Sequence, residues 1–77
     1  MMLDGRQLEI EINNITEKKG LPGIVADTAW GTIMDSSNQE KTYEKVLKVL
    51  NEETEARTII KKLQPIIREE MARKATE

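Results

Sequence analysis

The stretch from Ser37 to Met71, SNQEKTYEKVLKVLNEETEARTIIKKLQPIIREEM, decides how the chain must fold. Within it Tyr43, Val46, Leu47 and Leu50 recur at i, i+3, i+4 and i+7, the spacing that gathers apolar side chains on one helical face. Lys41, Lys45 and Lys48 keep another strip in water. Ser37-Asn38-Gln39-Glu40 has the form of a capping box, in which the serine hydroxyl and the glutamate carboxylate satisfy each other's exposed backbone donors. A helix is therefore expected from Asn38. Carried forward at roughly 100° per residue, its stripe asks for apolar residues near 53, 54 and 57. Those positions hold Glu53, Thr54 and Arg57. A new stripe, Ile59, Ile60, Leu63, Ile66, Ile67 and Met71, begins on nearly the opposite side of the wheel, which predicts a break between Asn51 and Thr54 and a C-terminal helical hairpin. Pro65 lies inside the second helix. It cannot donate to the carbonyl of Lys61 and its ring crowds that carbonyl, so a kink or a fresh start at Gln64 is expected. Pairs of Glu53 with Arg57, Glu69 with Arg73 and Glu70 with Lys74 stand at i, i+4 on exposed faces.

Upstream, Leu21-Pro22-Gly23 reads as a turn, with Pro22 suited to open a helix because its missing N–H would be unpaired there anyway. A helix over about Pro22 to Met34 follows. Leu21, Ile24, Val25, Thr28 and Thr32 share one side of it, and Ala26, Trp30, Ile33 and Met34 the other, so both sides are largely apolar. From Arg6 to Lys19 two patterns compete. Leu8, Ile10 and Ile12 alternate with polar residues as a half-buried strand would, whereas Leu8, Ile12 and Ile15 fit a helical face. Asp4 as a cap, Lys18 and Lys19 at the negative end of the helix dipole and Gly20 as a left-handed stop favour the helix. The fold expected is one all-α domain over residues 1–77, a small bundle of three to four helices; the alternative is an α+β arrangement with a strand at Leu8 to Ile12.

Composition narrows the functions. A chain of 77 residues buries only about 60% of its unfolded surface and has a thin stability margin, to which self-association commonly adds. Cysteine and histidine are both absent. That removes disulfides, thiolate nucleophiles, the usual neutral-pH base and the commonest metal ligands. Met1 to Gly20 carries four acids where a signal peptide needs an apolar run, and Gly20 to Ile33 is too short and too interrupted to span a bilayer. The expectation is a cytoplasmic protein without membrane span, metal, cofactor or small-molecule substrate. Asp27 and Asp35, the sole ionisable groups between Gly20 and Ser37, read as a solvent-facing helix residue and as part of the turn before the next cap, not as a catalytic pair.

Two functional readings remain. The segment Ile15 to Leu21 and the helix after it have a faint helix-turn-helix look, but Gly23 to Met34 holds no Arg, Lys, Asn or Gln to read base edges. A nucleic-acid-binding protein would have to use Lys41, Lys45, Lys48, Lys61 and Lys62, with Glu40 and Glu44 interleaved. The favoured reading is a non-catalytic regulatory or adaptor protein that binds a protein partner or forms a homo-oligomer through Leu21, Ile24, Trp30, Ile33 and Met34. Trp30 is either a core residue flanked by the small Ala26, Ala29 and Gly31 or an interface anchor.

Overall fold

Asp4 settles the first element. Its carboxylate Oδ1 accepts from the backbone N–H groups of Arg6 (3.0 Å) and Gln7 (3.4 Å), two of the donors that a helix start leaves unpaired. In the computed structural model, which describes residues 4–76 and the side chains of 4–73, helix α1 runs Gly5–Lys18. The strand alternative at Leu8 to Ile12 is overturned. Leu8, Ile12 and Thr16 are buried at i, i+4 and i+8, a helical face, whereas Ile10, the residue that made the segment look alternating, is 49% exposed.

Gly20 ends α1 with φ +68°. The N–H of Leu21 donates to the carbonyl of Thr16 (2.9 Å) and that of Gly20 to Glu17 (3.1 Å), the paired bonds of a Schellman stop that requires a left-handed residue. Pro22, at φ −68° and ψ 154°, then stands as the cap of helix α2, Gly23–Met34, one residue before its first turn.

Helix α3, Gln39–Glu52, begins one residue later than the capping box implied. Its cap is Asn38, whose Oδ1 accepts from the N–H of Lys41 at 3.2 Å. Serine and asparagine cap equally well, and Ser37 is drawn away by a tertiary partner, Glu70. The helix stops at Glu52, where the apolar stripe jumps, and Glu53 is extended. Helix α4 then runs Ala56–Thr76 through Pro65, with no fresh start at Gln64. Pro65 and Lys61 are both exposed, so water can stand in for the donor that proline removes. Of the expected ion pairs, Arg73 meets Glu69 at 3.4 Å, while Glu53 takes Lys62 at 2.5 Å in place of Arg57; the side chain of Lys74 lies outside the described residues.

Helices α2 and α3 form the centre. Each touches all three others, whereas α1 and α4, among the described residues, do not meet. The core joins Leu8 and Ile12 of α1, Val25, Ala26, Ala29 and Ile33 of α2, Val46 and Leu50 of α3, and Ile59 and Leu63 of α4. Two polar ties bind α1 to α3. The Tyr43 hydroxyl donates to Glu11 at 2.5 Å; that bond, partial burial and the carboxylate's charge all raise the pKa of Tyr43 above its ordinary value. Lys19 Nζ donates to the carbonyls of Leu50 and Glu53, a cation placed on the last turn of α3 where the helix dipole favours it. The sequence suggests Lys19 for the end of its own helix; the fold uses it on a neighbour. With 21 residues, α4 reaches about 31 Å and is the longest helix. Among the described residues no helix is long and apolar enough to cross a membrane.

Two substitutions test this arrangement by urea unfolding. Gly20→Ala should cost about 1 kcal/mol by forcing a side chain into left-handed backbone. Ile33→Ala should cost about 2–5 kcal/mol, most of a margin of roughly 3–5 kcal/mol, while Ile24→Ala should change stability by under about 0.5 kcal/mol.

Candidate docking groove between α2 and α4

Because three neighbours press on α2, both of its apolar sides are used internally. Val25, Ala26, Ala29, Thr32 and Ile33 are buried. The strip left over is Ile24, Asp27, Thr28, Gly31 and Asp35, and beside it α4 presents Ile67 and Met71. Together they bound an open groove of about 310 Å³ with a mostly apolar lining, made by Asp27, Thr28, Gly31, Thr32, Asp35, Ile67, Glu70 and Met71. Thr32 donates its hydroxyl to the Thr28 carbonyl at 2.6 Å, so its polar atom is occupied within its own helix. Met71 is 65% exposed and Ile24, two turns before Gly31, 66%.

Glu70 holds the end of the groove in place. Its Oε2 accepts from the N–H and the hydroxyl of Ser37, each at 3.2 Å, and its Oε1 from Arg73 at 3.3 Å. Only 12% of its side chain is exposed. Loss of hydration alone would raise its pKa, but the Ser37 N–H, the Ser36 hydroxyl, the Arg73 charge and the Ser37 hydroxyl outweigh it, and the carboxyl titrates below its ordinary value. Asp27 and Asp35 are exposed. Among the described residues no three acids converge closely enough to hold a metal ion.

The five partner-binding residues expected from sequence do not share one surface. Ile33 is fully buried in the core, and Leu21 and Met34 are half-buried against it. Trp30 is half-buried, its indole N–H donating to the Gly5 carbonyl at 2.9 Å. Ile24 alone is open. Trp30 also borders a second, more polar depression of about 240 Å³ with Glu9, Asn13, Ala26 and Asp27, so Asp27 stands between the two concavities. Of the lysines in the competing reading, Lys41, Lys48 and Lys61 are exposed, Lys45 pairs with Glu69 at 3.5 Å and Lys62 with Glu53. The sequence passes over Gly31, which sits four residues from each of Asp27 and Asp35. A glycine midway between the one acid inside an otherwise apolar helix and the acid that caps its end is the signal that could have found the groove.

No family model, curated protein or solved structure matches the chain.

The Glu70 latch makes a pH prediction. A carboxyl whose folded pKa is lowered contributes stability that is complete above its ordinary value of 4.5 and is lost as pH falls through the lowered folded value. Glu70→Gln should therefore destabilise by about 1 kcal/mol at neutral pH. The gap between variant and parent should close as the pH of urea titrations drops below 4.5.

Proposed function

We propose that this is a small non-catalytic regulatory or adaptor protein that docks a protein partner in the groove between α2 and α4. The observation that carries the reading is Gly31. Glycine inside a helix is less favourable than alanine by up to about 1 kcal/mol, and two ordinary reasons for tolerating it do not apply. Gly20 is the only glycine with positive φ among the described residues, and nothing lies within 4 Å of where a Cβ on Gly31 would stand. The space above it is open and leads into the groove. A glycine there lets the backbone of another molecule come close, which is a use outside the chain. Apolar Ile67 and Met71 beside it supply contact area of the kind that interaction surfaces use. A chain with neither cysteine nor histidine suits such a role in a reducing compartment such as the cytoplasm. The nucleic-acid reading has weaker support, since Lys45 and Lys62 are each committed to a glutamate.

Two variants of one residue test the proposal. Gly31→Ala should raise stability by up to about 1 kcal/mol, and Gly31→Leu should remain folded while filling the groove. With a photo-crosslinker at position 71, the parent should capture one protein from its host reproducibly, identified by mass, and Gly31→Leu should lose it. Equal capture by both would reject the groove as the working surface. Capture of nucleic acid that vanishes with added salt would favour the lysine reading.

A further inference from the structure

We infer that the occupant of the groove is a cationic amphipathic helix carrying two basic residues seven or eight positions apart with a large apolar residue between them. This rests on the docking reading above and adds the partner's chemistry. The groove's apolar lining is flanked by two exposed carboxylates, Asp27 and Asp35. Asp27 lies on α2 and Asp35 caps its C-terminal end, four residues to either side of Gly31 and about 12 Å apart along the axis at 1.5 Å per residue. Arg73, on the turn after the lining residue Glu70, is held by Glu69 and Glu70, and no Lys or Arg lines the groove among the described residues. The third acid, Glu70, is satisfied by Ser37 and Arg73. Two acids therefore remain to meet a partner, on either side of the point where α2 has no side chain.

A second helix laid along that strip comes closest at Gly31. Seven or eight residues of it cover the same 12 Å or so, so bases at those positions reach both aspartates. An apolar residue midway between them falls beside Ile67 and Met71. The Asp27 end favours arginine over lysine, because Trp30 and Glu9 border the adjoining depression and a planar guanidinium both pairs with carboxylate and lies on an aromatic ring.

A second copy of this chain does not supply that pattern. Lys41 and Lys48 are seven apart on α3, but Glu44 and Lys45 lie between them on the exposed strip. Lys61 and Arg68 are seven apart on α4 with Gln64 and Pro65 between. Arg6 on α1 has exposed Ile10 four residues on, but Asn13 and Asn14 where the second base should be. The partner is another protein.

The test uses the full chain and synthetic helical peptides of about 16 residues, long enough to hold some helix in water. One peptide has Arg at i and i+7 with Leu at i+3 and i+4; a second replaces both Arg by Glu; a third keeps the composition with the two Arg adjacent. Titration calorimetry should show the first binding and the others weaker by roughly tenfold or more. Asp27→Asn and Asp35→Asn should each weaken the first peptide about three- to fivefold, with the effect fading at high salt. Gly31→Leu should abolish binding. Equal affinity for the Arg and Glu peptides, both lost in Gly31→Leu, would overturn the cationic assignment and leave docking intact. No binding of the first peptide at about 1 mM would also overturn it, the crosslinking result then judging docking separately. Concentration-dependent association of the chain in sedimentation, abolished by Gly31→Leu, would assign the groove to a second copy instead.

Discussion

Everything in this fold depends on burying α2. Its sequence, Gly23–Met34, carries a single charge, Asp27, in a chain otherwise dense with ions, and no one neighbour can cover a helix that is apolar on two sides. The solution is to place it in the middle. Helix α1 takes one flank, α4 the other and α3 a third, and Val25, Ala29 and Ile33 are left with no exposure at all. Alanine at 26 and 29 is what lets the neighbours close in, because a small side chain brings helix axes together and so lets Ile12, Val46, Ile59 and Leu63 share one core. With no phenylalanine and one tryptophan, the core is filled by branched aliphatics whose shapes leave few alternatives.

A core of this size needs help at its edges, and beside the mid-helix tie of Tyr43 to Glu11 several polar contacts lie at helix ends. Lys19 holds the last carbonyls of α3. Trp30 reaches from α2 to the first residue of α1. Gln39, opening α3, donates to the Met34 carbonyl that closes α2. Ser36 and Thr42 share a buried hydroxyl bond of 2.6 Å, and Ser36 also accepts from the Asn38 N–H. Glu70 ties the same turn to α4. Helix ends are where backbone groups lack partners, so a side chain from a neighbouring helix placed there satisfies a donor or acceptor and fixes the relative position of two elements in the same contact.

A bundle of three to four helices, the break after Glu52 and the left-handed Gly20 are all legible in the sequence, because each rests on a local rule: periodicity, a lost stripe, a glycine beyond lysines. The cap at Asn38 and the uninterrupted α4 are not. Choosing between Ser37 and Asn38 requires knowing that Glu70 arrives from more than thirty residues away, and Pro65 is harmless only because the bundle leaves that side of α4 to water. The candidate site was the least legible. Periodicity ranks α2 by its apolar residues, so it selects Leu21, Trp30, Ile33 and Met34, which the chain itself largely covers. Ile24 apart, what remains open is marked by residues that periodicity discounts, two acids and a glycine.

That inversion has a physical basis. In a helix buried from three directions most large apolar residues are needed for folding, Ile24 being the exception at 66% exposure, and any surface for another molecule must be assembled from what is left. Gly31 adds nothing to stability and leaves a gap no side chain of the chain fills; Asp27, and Asp35 at the C-cap, add charge to the one helix that has no balancing base. In a domain with so thin a margin, features that stabilise nothing internally stand out against a background in which most others do. Gly31, Asp27 and Asp35 share one groove with Ile67 and Met71 of α4, and under the docking proposal they act as a single surface and not as three separate imperfections. Glu70 joins the two roles: the bonds from Ser37 that fix the turn between α2 and α3 also fix α4 against α2 where the groove is lined, so the rigidity of the surface comes from the same contact that completes the fold.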